Sequence, residues 1–439
     1  MSRQATKHQS KPQPNTKSSS TRPIKHRKGS TILLPDVFAV AFLLTLAFAA
    51  AQPASAQSVN VLYDFPSSFD CCAGPASPVL SDGAGNFYGT TRALGDYGNG
   101  SVFVVSPSSS TYETTLYSFC PDAPTCSDGS YPGYASVIRD ASGNLYGTTA
   151  FGGNGCGVVY KLSPSGANWT ETVLYTFPAP PPNQEADNNC TPLYGVIADG
   201  AGNLYGTTSY GLISDNGATG QGGGVFELSQ SGGVWTEQLL YTYPSYSLSG
   251  LTMDDAGNLY GLGTNSQGDP YLFELARQAK AGWAAKIIHT FTDSQKASNP
   301  TGTPVLDAEG NIYGTTYTGS AGSGGTVYEA VRGSNGKWTF EILFTFNGTT
   351  QGDGPEGGVT LGPRGKIYGT TQFGGPHNGD GTVFILTPEN GVYEEKVFSF
   401  NGTDGNAPLA GVTIYDGNLY GTTSTGGTQS QGVVYEVTP

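Results

Sequence analysis

One heptapeptide, Gly-Asn-Leu-Tyr-Gly-Thr-Thr, recurs along this chain and restricts it to a repeat architecture. It stands unaltered at 143–149, 202–208 and 417–423, with variants at 85–91 (GNFYGTT), 257–263 (GNLYGLG), 310–316 (GNIYGTT) and 365–371 (GKIYGTT). The tyrosines of the seven copies, Tyr88, Tyr146, Tyr205, Tyr260, Tyr313, Tyr368 and Tyr420, follow one another at 58, 59, 55, 53, 55 and 52 residues. A period this regular means one supersecondary unit per copy, each unable to bury its apolar face without its neighbours.

The third copy shows the unit most plainly. A short apolar run (194–198, YGVIA) meets the turn Asp199-Gly200-Ala201-Gly202 and then the run 203–208, which reads as a hairpin with glycine at positive φ. After a Gly-rich stretch, 224–228 (GVFEL) and 235–243 (WTEQLLYTY) form a second hairpin. Each period therefore carries four strands, a to d in chain order. Strands c and d recur at 102–105 with 113–119, 158–162 with 169–177, 271–275 with 283–291, 326–330 with 338–346 and 382–386 with 393–400. Trp169, Trp235, Trp283 and Trp338 all open strand d. A repeated tryptophan can be a sugar platform, but identical placement in successive units favours packing.

Closure follows from the ends of the repeat region. It begins on a d strand (58–65, SVNVLYDF) and stops on a c strand (432–437, GVVYEV), so joining the two completes a seventh unit. The predicted fold is all-β: a seven-bladed β-propeller of four-stranded antiparallel blades over 57–439, closed by the N-terminal strand joining the C-terminal blade. Radial repetition of this kind protects strand edges. With 65 Gly and 26 Tyr, the composition suits such a turn-dense fold. The small residues of Tyr-Gly-Thr-Thr are expected where sheets crowd toward the axis, and the tyrosine between neighbouring sheets.

Residues 1–56 read differently. Eight Lys/Arg precede an apolar run at 37–51, followed by the small-residue site Ala54-Ser55-Ala56. This is the order of a signal peptide cleaved before Gln57. The 15-residue run is short of the ~20 needed to span a bilayer, although a retained anchor is the alternative. Without this leader the chain has 12 Lys/Arg against 33 Asp/Glu, a net charge of −21. Nucleic acid and anionic membrane surfaces, which call for basic patches, are therefore not expected partners. No calcium-loop pattern organises the acids.

All six cysteines, Cys71, Cys72, Cys120, Cys126, Cys156 and Cys190, fall between strands in the first half of the propeller region. An even count in an exported chain favours disulfides. Cys120 and Cys126 flank a short Pro-containing loop and are the expected pair.

The unit at 159–177 and 195–208, VYKLSPSGxxWTETVLYTF followed by GVIADGAGNLYGTT, resembles the GloVer tandem repeat of exported bacterial proteins. The stretch VIADGAGNLY is more distantly similar to the first hairpin of NHL-type propeller repeats, which places strand a innermost. The resemblance implies a secreted or surface-associated propeller and no particular reaction. Many relatives carry a C-terminal sorting or anchoring segment, whereas this sequence ends at Pro439, just after strand c, so that route of anchoring is not expected.

Catalytic signals are sparse. Only His289 and His377 remain outside the leader, and His289 stands where strand d has tyrosine in other units, as a packing residue would. A Ser-His-Asp set or a His-bound metal has no recognisable members. Asp82, Asp140, Asp199, Asp254 and Asp307 all occupy the a-to-b turn, where Asp sets the bend. Neither cofactor nor metal is implied. The d-to-a and b-to-c loops must emerge on one face, with Phe151, Tyr210 and Phe373 just after strand b. Those rings either rim a binding face or cover the blade tops. The expected function is a secreted, extracellular or periplasmic, monomeric binding or structural module recognising polysaccharide, cell-envelope material or a protein partner. The alternative is an extracellular enzyme of glycan lyase, hydrolase or lactonase type that draws its acids from the loops.

Overall fold

The computed structural model describes residues 58–439 except 68–72, 109–112, 154, 167, 179–190, 210–222, 245–246, 248, 279, 281, 293–296 and 320–322. The leader thus lies outside the described residues, as do Cys71, Cys72, Cys190 and Tyr210. Seven four-stranded antiparallel sheets form a ring, a β-propeller. Six blades use strands consecutive in sequence. The seventh joins Thr413–Tyr415, Asn418–Thr422 and Val433–Val437 to Val59–Asp64, with Val59 opposite Val437 and Asp64 opposite Val433.

Seven apolar clusters hold the ring, one between each pair of adjacent blades. Tyr88, Val102, Phe119, Val137, Leu145, Val158 and Tyr160 fill the space between blades 1 and 2. Phe65, Phe87, Phe103, Tyr420 and Val434 do the same between blades 7 and 1, so residues from both ends of the propeller sequence share one core.

Each position of the heptapeptide has its own physical task. The first glycine takes φ of 73° to 90° in all seven copies, which a side chain resists. In the turn before it, Asp199 Oδ1 accepts the N–H groups of Ala201 and Asn203, each at 2.9 Å, and Oδ2 accepts Asn203 Nδ2 at 2.9 Å. The same clamp recurs at Asp82, Asp140 and Asp254, and the Asn311 bonds recur at Asp307, so these acids are turn residues as expected. The tyrosine points to the adjacent sheet. Its hydroxyl meets the turn aspartate, as at Tyr205 and Asp199 (3.1 Å). Its ring meets the tryptophan of the next blade, Tyr88 with Trp169 at 6.5 Å, Tyr205 with Trp283 at 6.2 Å and Tyr260 with Trp338 at 6.3 Å. The tryptophans therefore pack.

The second glycine departs from the expectation of axial crowding. It stands opposite an aromatic residue of strand c in every blade: Phe103, Tyr160, Phe226, Phe273, Tyr328, Phe384 and Tyr435. A Cβ on Gly206 would lie 2.5 Å from Phe226 Cζ, and one on Gly147 2.4 Å from Tyr160 Oη. The glycine is bare because a ring lies across it. In five blades the first threonine then ties the blade to the next, whereas blade 4 has Leu262 there and Thr315 of blade 5 donates to Thr301 of its own blade. Thr90, Thr148, Thr207 and Thr370 donate to the carbonyls of Ala135, Tyr194, Ser249 and Ala410 at 2.8–2.9 Å, and Thr422 of blade 7 donates to Ser77 of blade 1 at 2.9 Å.

The outer strands carry a looser device. Burial, then the neighbouring Asp128, raises the Glu171 carboxyl to about 7, and burial, against a hydrogen bond from Gln351, raises Glu395 to about 8. Glu395 Oε1 has no partner. Sequence position explains the second case. The residue two before the last aromatic of strand d is Tyr63, Tyr117 and Tyr175 in blades 7, 1 and 2, but Phe344 in blade 5, so blade 6 faces a neighbour with no hydroxyl there.

Two predictions follow from this packing. Gly206→Ala, placed against Phe226, is expected to cost about 1–3 kcal/mol, read as a lower denaturation midpoint. Glu395 binds a proton in the folded state up to about pH 8, whereas the unfolded chain releases it near 4.5. Its burial therefore lowers stability progressively as pH rises through that window. Glu395→Gln should melt higher than the parent at pH 8, and the difference should vanish below about pH 4.5 in thermal scans at stepped pH.

Candidate functional site

Strand a is innermost, and residues at or beside the seven a strands enclose a cavity of about 320 Å³ on the ring axis. Each blade contributes: Ala76, Ser136, Val196, Leu251, Thr303, Gly357 and Ala410 are one such set. Small and apolar groups prevail, as the sequence of these strands implies. Three side chains break the pattern, Tyr134, Tyr194 and Glu356. All three stand at the loop-side ends of their blades, where the chain returns from strand d to strand a.

Tyr194 is the clearest departure. Its carbonyl accepts the interblade threonine, and the residues doing so in four other blades are Ser77, Ala135, Ser249 and Ala410. A phenol here fills space the other blades leave open. Burial first, then the nearby Tyr134 and Glu356, raises its hydroxyl pKa well above the ordinary tyrosine value. Burial also raises Glu356 above the usual carboxylate range. Burial first, then Glu356 and Asp353, raises Tyr317, whose hydroxyl donates to Gln372 at 3.1 Å. The Arg92 guanidinium lies over the Tyr134 ring, 5.7 Å from its centroid. The mouth of the channel thus gathers tyrosines around one carboxyl.

Of the rim residues expected from sequence, Phe151 and Phe373 lie on b-to-c loops, and Tyr210 is outside the described residues. Phe151 and Phe373 are 41% and 42% exposed, high for rings of their size. Each is tied by a backbone bridge to the loop that delivers a channel residue: Phe151 to Ser130, four residues before Tyr134, and Phe373 to Asp353, three before Glu356. Phe151 also meets the Tyr131 ring edge-on at 5.8 Å. Tyr97, on the corresponding loop of blade 1, is 50% exposed. Sequence reasoning missed Tyr134, Tyr194 and Glu356. For Tyr194 the available signal was a large residue where aligned repeats carry Ser, Ala or Gly.

The remaining candidates resolve as follows. Cys120 and Cys126 form a disulfide in the loop between blades 1 and 2, both at positive φ. Asp128 braces the loop, accepting the Cys120 N–H at 3.0 Å and the Tyr117 hydroxyl at 2.7 Å. Cys156 is also disulfide-bonded, to a partner outside the described residues. His289 stacks on Phe340 at 3.7 Å and meets Phe291 edge-on, a packing role. His377 lies in the loop after strand b of blade 6, its N–H on Ser399 Oγ at 3.3 Å. Among the described residues no group of three or more His, Cys, Asp or Glu is disposed to hold a metal ion.

Fold and channel together define a seven-bladed β-propeller with an aromatic, acid-bearing mouth on its loop face. More particularly, the chain belongs to the Gloeobacter/Verrucomicrobia repeat family, whose model matches residues 50–270 and 247–439. No curated protein matches it in sequence. Similar solved structures include a putative 6-phosphogluconolactonase from Bacteroides uniformis, 16% identical over 77% of this chain and 88% of that one, with a TM-score of 0.48. A puromycin-hydrolyzing peptidase of Mycobacterium tuberculosis is 11% identical over 83% of this chain and 53% of that one, at 0.50. The polysaccharide lyase Uly1 is 12% identical over 88% and 93%, at 0.44. Likeness at these identities reaches the fold alone.

The disulfide gives a direct test. Cys120→Ser is expected to lower unfolding stability by about 2 kcal/mol, the loop-closure entropy of so short a loop. The measurement is a denaturant titration, compared with the parent protein before and after reduction.

Proposed function

We propose that this protein is a secreted, monomeric, non-catalytic propeller that binds glycan or cell-envelope material through its loop face. The observation that carries the reading is the combination of exposed Phe151 and Phe373 with a channel mouth holding Tyr134, Tyr194 and Glu356. Flat rings stack on the apolar faces of pyranoses, while tyrosine hydroxyls and a carboxyl accept and donate to sugar hydroxyls. The cleavable leader read from residues 1–56 and the disulfides support export to an oxidising compartment. The large negative charge of the mature chain argues against nucleic acid as ligand.

One observation favours the second reading, an extracellular enzyme acting on a glycan or lactone. Glu356, its carboxyl shifted toward the protonated form by burial, lines the same cavity as Tyr194, and a carboxyl so shifted suits a general acid. Catalysis of the hydrolytic type calls for a second acid or base in reach, and the channel lining supplies none besides these residues.

Both readings are separated by one set of assays. Purified mature protein is expected to be retained on a subset of immobilised envelope polysaccharides. Phe151→Ala combined with Phe373→Ala should weaken retention about tenfold or more, since stacked rings contribute roughly 1–3 kcal/mol in related platforms. No change in reducing ends or unsaturated products should accompany binding. Product release abolished by Glu356→Gln would establish the enzyme instead, and absence of any retained polysaccharide would end the glycan reading.

A further inference from the structure

The channel mouth holds one carboxyl among its described lining residues, that of Glu356. Among the described residues Glu356 makes no hydrogen bond and no ion pair, although it lines the axial cavity in company with Tyr134 and Tyr194. Glu356 is half-buried, and a carboxylate so placed without a protein partner is suited to meet a cation or several hydroxyl donors. The Arg92 guanidinium lies over the Tyr134 ring. The groups facing Glu356 are instead phenols, Tyr194 and Tyr317, with the acid Asp353 also close to Tyr317.

Aromatic faces around a carboxylate are the surroundings that an ammonium group seeks, because ring quadrupole and negative charge act in the same direction. The Arg92 contact on Tyr134 shows one of these rings already receiving a cation on its face. Around this centre the lining continues with the hydroxyl-bearing Ser136, Thr301 and Thr303. A cavity of about 320 Å³ lies at the lower end of the ~300–1,000 Å³ range of small-ligand sites. It admits a sugar ring or two, not a folded partner. Burial shifts the Glu356 carboxyl toward its protonated form, and a bound ammonium would oppose that shift.

We propose that the channel mouth is a subsite for the protonated amine of an amino-sugar residue, held by the Glu356 carboxylate against the Tyr194 and Tyr134 rings. This rests on the glycan reading above and names the sugar class that the same site takes. A lysine-bearing peptide presents the same ammonium but lacks the hydroxyls that match Ser136, Thr301 and Thr303, so the sugar is the better fit.

Titration calorimetry with three probes tests it: a glucosamine tetramer at a pH below the pKa of its amines, its fully N-acetylated counterpart, and an N-acetylated, C-amidated tetralysine. The glucosamine tetramer is expected to bind about tenfold tighter than either of the others. Glu356→Gln should remove that preference while leaving the melting temperature close to that of the parent. Tyr194→Phe should retain the preference and Tyr194→Ala should lose it. The alanine form is expected to fold, because Ala135 and Ala410 occupy the equivalent position in other blades. Equal or tighter binding of the N-acetylated tetramer overturns the ammonium subsite while leaving the glycan reading intact. Equal binding of tetralysine overturns the sugar assignment. A preference that survives Glu356→Gln removes the carboxylate from the site, and failure of every probe together with every immobilised polysaccharide removes both readings.

Discussion

In every blade a strand-c ring lies across the second glycine of the heptapeptide on the facing strand b. The ring fills the place a side chain would take, and the same ring then belongs to the apolar cluster between blades, as Phe226 does in the cluster that joins blades 2 and 3. Strand pairing within a sheet and packing between sheets are therefore coupled through a single side chain. With that contact in place, the threonine beside the glycine reaches a carbonyl of the next blade in five of the seven blades. The sequence Gly-Thr thus carries the cohesion of one blade and its attachment to the next.

The consequence for function is a division of labour. Residues of the heptapeptide are consumed by the ring: glycine by the turn or the aromatic face, asparagine by the aspartate clamp, tyrosine by aspartate and tryptophan, threonine by the neighbouring blade. What remains free to vary are the loops that run from d to a and from b to c. Their backbone bridges, Phe151 to Ser130 and Phe373 to Asp353, hold pairs of loops together and set exposed rings beside the residues that enter the channel. A rigid scaffold with variable loops is a common way to position a binding face.

Much of the fold was legible because the repeat tests itself seven times. The d strand at 58–65 and the c strand at 432–437 could be matched before any coordinates, and they pair as Val59 with Val437. The turn aspartates, the packing tryptophans and the Cys120–Cys126 pair were legible for the same reason, since each is a local pattern. The cause of the second glycine was not. Its partner ring lies on the next strand, so the constraint appears only when register is known. Tyr134, Tyr194 and Glu356 were hidden differently: 60 residues separate Tyr134 from Tyr194, and 162 separate Tyr194 from Glu356. Nothing along the chain marks them as neighbours.

By itself, then, the sequence determined the number of blades, the four strands in each, the loop face and the scarcity of histidine chemistry, because period and composition are properties of the chain. The tertiary structure alone decided which side chains share the axis. Seven strands from seven repeats converge there, and a tyrosine in place of serine or alanine becomes one wall of a site only when the ring brings a carboxyl from three blades away to face it. Convergence on an axis is a property of closure, and no local stretch of the chain contains it.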